Sequence, residues 1–111
     1  MELSKSDKKT ARILIDKGIL KEIEICNASV LAILTDWKND KKETRETYGK
    51  VYEIVKKNDK YIASNYDGIT GIHYFNTVLN MYCKGLVTEE DIKPFSETIR
   101  ERLIAFKKNR I

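Results

Sequence analysis

Residues that break or reverse a chain are scarce here, with one proline and five glycines among 111 positions. That scarcity excludes a sandwich or barrel of many short strands, which needs a turn every few residues, and leaves long periodic segments joined by few connections. Histidine occurs once, at position 73, so no histidine-based metal cluster can form. Cys26 and Cys83 together offer two soft ligands where structural zinc takes four. Two cysteines in apolar helical settings are also too few for a disulfide framework, and reduced, buried thiols are expected. No segment approaches the ~20 apolar residues of a membrane span, and the opening MELSKSDKKTARILIDKG has no apolar run of signal-peptide length. A cytoplasmic location is expected.

Hydrophobic residues make up 41% of the chain and charged residues 34%. At this length such a composition fits a single helical domain over residues 1–111, with one continuous core and a large wet surface. The net charge of +4 makes nucleic acid a candidate partner, because lysine and arginine neutralise phosphates and release their counterions. The 21 basic residues are mostly lysine and are interspersed with 17 acids, however, a pattern of solvated helix faces more than of a phosphate-binding patch. A nucleic-acid-associated protein is therefore the alternative to a protein partner, not the leading expectation.

Ser4 or Ser6 opens the first helix, with Asp7 in its first turn. Side-chain oxygens accept there from unpaired N–H groups, and a carboxylate suits the positive helix end. Ala11, Leu14 and Ile15 form the apolar side as far as Lys17, and Gly18 is expected to break or kink the helix. From there to about Asn39, the residues Ile19, Ile23, Cys26, Val30, Ile33 and Trp37 recur at spacings of 4, 3, 4, 3 and 4, a heptad seam on one stripe of a helix. Leu20, Ile25, Leu31 and Leu34 widen it, so this helix should lie centrally, its seam buried in the core or in a dimer contact. The polar run NDKK at 39–42 is a short connection of the kind that joins antiparallel neighbours.

A third helix over about 43–64 carries Tyr48, Val51, Val55, Asn58 and Ile62 at 3-4-3-4, with Lys50, Glu53, Lys56, Lys57 and Lys60 on a solvated side. The segment NYDGITG, 65–71, is the glycine-rich reversal. Asp67-Gly68 makes the turn, and Thr70 caps a helix over about 71–84 that buries Ile72, Phe75, Val78, Leu79 and Tyr82 and stops at Gly85. Thr88 and Asp91 stand at capping-box spacing. Pro94 is placed in the first turn of a last helix, whose inward stripe is Phe95, Ile99, Leu103 and Phe106.

These patterns predict an all-α, single-domain up-down helical bundle of four to five helices. Motifs that carry chemistry are few. Asn65, Asp67 and Gly68 match three positions of a calcium-binding EF-hand loop, but Ala63 and Tyr74 stand where its first ligand and its bidentate carboxylate belong. His73 as a base needs a nucleophile and an orienting acid, and the nearby Ser64, Thr70 and Asp67 match no triad spacing. Glu89, Glu90 and Asp91 point in different directions around a helix and suit its positive end better than a paired-carboxylate site. No catalytic residue, metal or cofactor is expected. The chain reads as a non-enzymatic interaction or regulatory module that binds another protein or itself. A small ligand or a catalytic site, if there is one, belongs at the NYDGITG turn, with Asp67, Thr70, His73 and Tyr74 as its ligand-binding candidates and the Gly71 and Ile72 amides as anion donors.

Overall fold

Ser4 starts the first helix by accepting the Asp7 backbone N–H on its hydroxyl at 3.1 Å. The helix then runs unbroken as α1, Lys5–Lys38, in the computed structural model, which describes residues 2–110. Gly18 does not interrupt it. Gly18 is buried, and a Cβ at that position would collide with Sδ and Cε of Met81. The glycine thus admits a close neighbour, and that packing offsets the ~1 kcal/mol that glycine costs inside a helix. The later helices are α2, Thr44–Tyr66; α3, Tyr74–Cys83, preceded by a single 3₁₀ turn at Gly71–His73; and α4, Glu97–Arg110. The described residues contain no strand, and four helices fit the expected all-α bundle.

Two helix ends close in the same way. After α3, the Gly85 N–H donates to the Tyr82 carbonyl and the Leu86 N–H to the Met81 carbonyl, with Gly85 at φ +79°. This is a Schellman motif, in which buried Leu86 and Met81 supply the usual apolar contact. After α1, Asp40 and Lys41 donate to the carbonyls of Trp37 and Asp36 in the same pattern, with Asp40 taking the left-handed position at φ +59°.

Thr88 and Asp91 form the reciprocal box that their spacing implies, the Asp91 carboxylate accepting the Thr88 N–H at 2.8 Å and the Thr88 hydroxyl accepting the Asp91 N–H at 3.2 Å. Three details differ from expectation. Ile72 falls in the 3₁₀ turn ahead of α3 and is exposed, not buried. Thr70 precedes the 3₁₀ turn and makes no side-chain cap. Pro94 stays in the preceding turn and α4 starts at Glu97, because Ser96 is the residue that is held. Its N–H and its hydroxyl donate to the two oxygens of buried Asp7 at 2.8 and 2.7 Å.

The chain divides into two compact units. One comprises residues 1–19 and 68–111 and contains a dense core. Leu14 and Ile15 of α1, Phe75, Val78 and Met81 of α3, Val87 and Ile92 of the connection, and Ile99 and Leu103 of α4 are all buried there. Edge-on packing of Phe75 against Phe106, with ring centres 5.9 Å apart, and a hydrogen bond from Arg110 to Asn80 at 2.7 Å join α3 to α4. The other unit, Leu20–Asp67, is a hairpin of the second half of α1 and the whole of α2. The Trp37 indole donates to Thr44 Oγ1 at 2.9 Å beside the connection, and the Tyr66 hydroxyl donates to Glu22 at 3.4 Å at the opposite end.

Candidate functional site

Two helices bury only the line along which they touch, and the hairpin follows that rule. On α1, Cys26 is buried and Val30 and Ile33 are half-buried, whereas Ile23 and Trp37 of the same seam are more than a third exposed. On α2 the inward line is Thr47, Val51, Ile54, Asn58 and Tyr61. This corrects the stripe expected from periodicity: Tyr48 and Val55 stand on the outside, one helical position round from Thr47 and Ile54. A one-residue shift is 100° of helix, and a wide apolar arc reads equally well from either edge.

Those outer residues make a surface. Leu20, Ile23, Leu31 and Leu34 lie on one shoulder of α1, and Tyr48, Tyr52 and Val55 lie on one shoulder of α2. In an antiparallel pair of right-handed helices these shoulders fall on the same side of the hairpin. A shallow cavity of about 210 Å³ straddles the two helices on that side, lined by Leu34, Trp37, Thr44, Thr47, Tyr48 and Val51. Leu31 is 65% exposed and Tyr48 77%. Within the same wall, the Thr47 hydroxyl is buried and has no hydrogen-bond partner.

The opposite side of the hairpin mixes polar and apolar groups, and Ile25 is exposed there as well. Its groove, about 450 Å³, is lined by Glu22, Ser29, Lys57 and Asn58 together with Ile25, Cys26, Ile54 and Tyr61. Burial, then the Glu22 carboxylate and Tyr61, raises the Tyr66 phenol well above its ordinary value, so it remains a neutral donor to Glu22.

The residues of the NYDGITG turn are placed as follows. Asp67 closes α2 with its N–H on the Ala63 carbonyl, its side chain exposed. Thr70 is exposed, and its carbonyl accepts the His73 N–H at 2.9 Å. His73 is exposed, and its carbonyl accepts the Thr77 hydroxyl. Tyr74 is half-buried and pairs with Arg12, whose Nε donates to the phenol at 3.0 Å while the guanidinium lies 5.4 Å from the ring centre. Arg12 in turn belongs to a basic stripe with Lys5, Lys8 and Lys9, which lines an open concavity of about 590 Å³ on the first turns of α1.

Both cysteines are free thiols, Cys26 buried and Cys83 half-buried. Among the described residues no three His, Cys, Asp or Glu side chains come together as a metal site, and no helix is long and apolar enough to cross a membrane. Tyr52 is the residue of the apolar face that the periodicity argument left out. Its signal was present in the 4-3 spacing of Tyr48, Tyr52 and Val55 beside the assigned stripe. Comparisons with protein families, with curated proteins and with solved structures found no match.

Proposed function

We propose that this chain is a non-enzymatic protein-interaction module, acting in the cytoplasm, whose working surface is the apolar face of the Leu20–Asp67 hairpin. One observation carries the reading: large apolar side chains at 20, 31, 34, 48, 52 and 55 share one side of a two-helix layer and stay open to solvent. Contiguous apolar surface of this kind on a folded protein marks a place where another surface sits. The tyrosines suit it, since each gives a large rigid contact with a polar tip.

The test is site-specific photocrosslinking in cells that express the chain. A photoreactive residue at Leu31 or Tyr52 is expected to give covalent protein adducts, and one at Lys57 on the opposite side few or none. Equal yields from the two sides, or no protein adduct from the apolar side, would remove the reading.

A second reading has its own observation. Lys5, Lys8, Lys9 and Arg12 present four cations along one face of α1, with Tyr74 beside them. That arrangement suits a phosphate-bearing polyanion, and duplex DNA or RNA retained at low salt and released by Lys9→Glu would favour it.

A further inference from the structure

The charges around the apolar face are arranged in a way that chooses its occupant. Leu31 and Tyr52 lie at the middle of the face, across from one another on α1 and α2. Seven residues before Leu31 is Glu24 and seven after it is Lys38; seven before Tyr52 is Arg45 and seven after it is Asp59. A seven-residue step returns to nearly the same side of a helix and advances about 10 Å along it. All four charges are exposed, and each stands on the shoulder bordering the apolar stripe. Because α1 and α2 run in opposite directions, Glu24 and Asp59 fall at the open end of the hairpin, and Lys38 and Arg45 fall beside its connection. These four positions set acid at one end of the face and base at the other, equidistant from Leu31 and Tyr52, and between them the Lys56 ammonium lies 5.8 Å from the Tyr52 ring centre.

We infer that the occupant of this face is a second copy of the same chain, paired through a two-fold axis that lies in the contact plane and crosses both helices at the level of Leu31 and Tyr52. This rests on the interaction-module reading and names its partner. A two-fold axis there turns one hairpin end for end against the other, placing Glu24 and Asp59 of each copy against the partner's Lys38 and Arg45, while Leu31 and Tyr52 each meet their own counterpart in the other copy. Such a contact is isologous: one self-complementary patch serves both copies. The result is four antiparallel helices around a core that neither hairpin can close alone.

Net charge agrees with the pairing. Residues 20–67 contain nine basic and nine acidic side chains, whereas the other unit has twelve and eight. The whole surplus of +4 thus lies outside residues 20–67, and the hairpin itself carries no net charge to oppose its own pairing. The size is also adequate. Two helices side by side, each ~10 Å across and ~28 Å long over about 19 residues, present roughly 560 Å² in projection, the same order as the ~800 Å² of accessible surface that each partner buries in a standard interface.

The experiment uses the purified full chain in light scattering after gel filtration and in sedimentation equilibrium. The expected mass is twice the 12.9 kDa of one chain. Leu31→Glu is expected to weaken the dimer at least tenfold. The decisive arm reverses charges that are exposed in the single chain, so that helix content by circular dichroism should not change. Lys38→Glu with Arg45→Glu makes the border wholly acidic, and Glu24→Lys with Asp59→Lys makes it wholly basic. Each double variant alone should lose the dimer by tenfold or more, and an equimolar mixture of the two should regain it. A native chain that keeps the single-chain mass at 100 µM overturns the inference, as does a dimer indifferent to all these changes. A single-chain mass combined with crosslinks from Leu31 to a different protein would refute self-pairing and leave the interaction module standing.

Discussion

The two units of this chain are patterned alike and finished differently. In the unit formed by residues 1–19 and 68–111, the apolar stripes of α1, α3 and α4 and the connection between α3 and α4 cover one another, so that Ala11, Val87, Ile92 and Leu103 are all completely buried. In the hairpin, stripes of equal regularity leave Leu20, Leu31, Tyr48 and Tyr52 each more than 60% exposed, with Cys26 as the one buried apolar side chain there among the described residues. The difference lies in the number of layers. Periodicity states which side of a helix wants cover, and only a count of the elements that arrive there states whether it is covered.

Truncation should bring out the contrast most strongly. Leu103→Ala is expected to cost ~2 to 5 kcal/mol in urea unfolding, through lost burial and the cavity left behind. Leu31→Ala, measured in solution dilute enough to keep chains apart, should stay within about 0.5 kcal/mol. Equal costs would mean that the hairpin face is already covered within one chain. A smaller effect of opposite sign is expected at Thr47, where an apolar group of the same shape replaces a buried hydroxyl without a partner. Thr47→Val should stabilise the hairpin by about 1 kcal/mol. The single tryptophan, Trp37, reports on this directly by fluorescence. A loss of stability would show that the hydroxyl is bonded to ordered water.

The smallest effect belongs to the packed unit. Asp91 receives the Lys17 ammonium at 2.5 Å and the Thr88 N–H, and these hold its carboxyl below the usual carboxylate range. Its contribution is therefore complete above the carboxylate value of the unfolded chain and disappears as pH falls through the lower value of the folded one. Lys17 is about half exposed, so screening keeps the pair below about 1 kcal/mol. The gap in melting temperature between the native chain and Asp91→Asn should be constant from neutral pH down to the ordinary carboxylate range and close in stronger acid. A gap that widens in acid would contradict the ion pair.

Local rules were legible in the residues themselves. The stop at Gly85, the Thr88–Asp91 box and the NDKK connection each depend on neighbours within a few positions, and the structure has all three. What escaped depends on distant partners. Gly18 reads as a helix breaker until Met81 is seen against it, and Pro94 reads as a helix start until Asp7 is seen holding Ser96. The outer face of the hairpin was half legible. Leu20, Leu31 and Leu34 were visible as surplus apolar residues, but which edge of the α2 arc turned inward was decided by the packing of Thr47, Ile54 and Tyr61. Of the turn candidates Asp67, Thr70, His73 and Tyr74, only the partnership of Tyr74 with Arg12 adds a side-chain contact, and Arg12 lies 62 positions away in sequence.

The bond between Asp7 and Ser96 spans 89 positions and has a consequence in time. Synthesis is vectorial, and the core that contains Leu14 and Ile15 waits for Ile99 and Leu103 to leave the ribosome. Every residue of the hairpin's two helices precedes Gly68 in sequence, and local helical contacts form in microseconds to milliseconds. From Asp67 to Leu103 the ribosome adds 36 residues, roughly 2 to 7 s at ~5 to 20 residues per second. Through that interval the contacts of Ile99 and Leu103 that complete this core are not yet available.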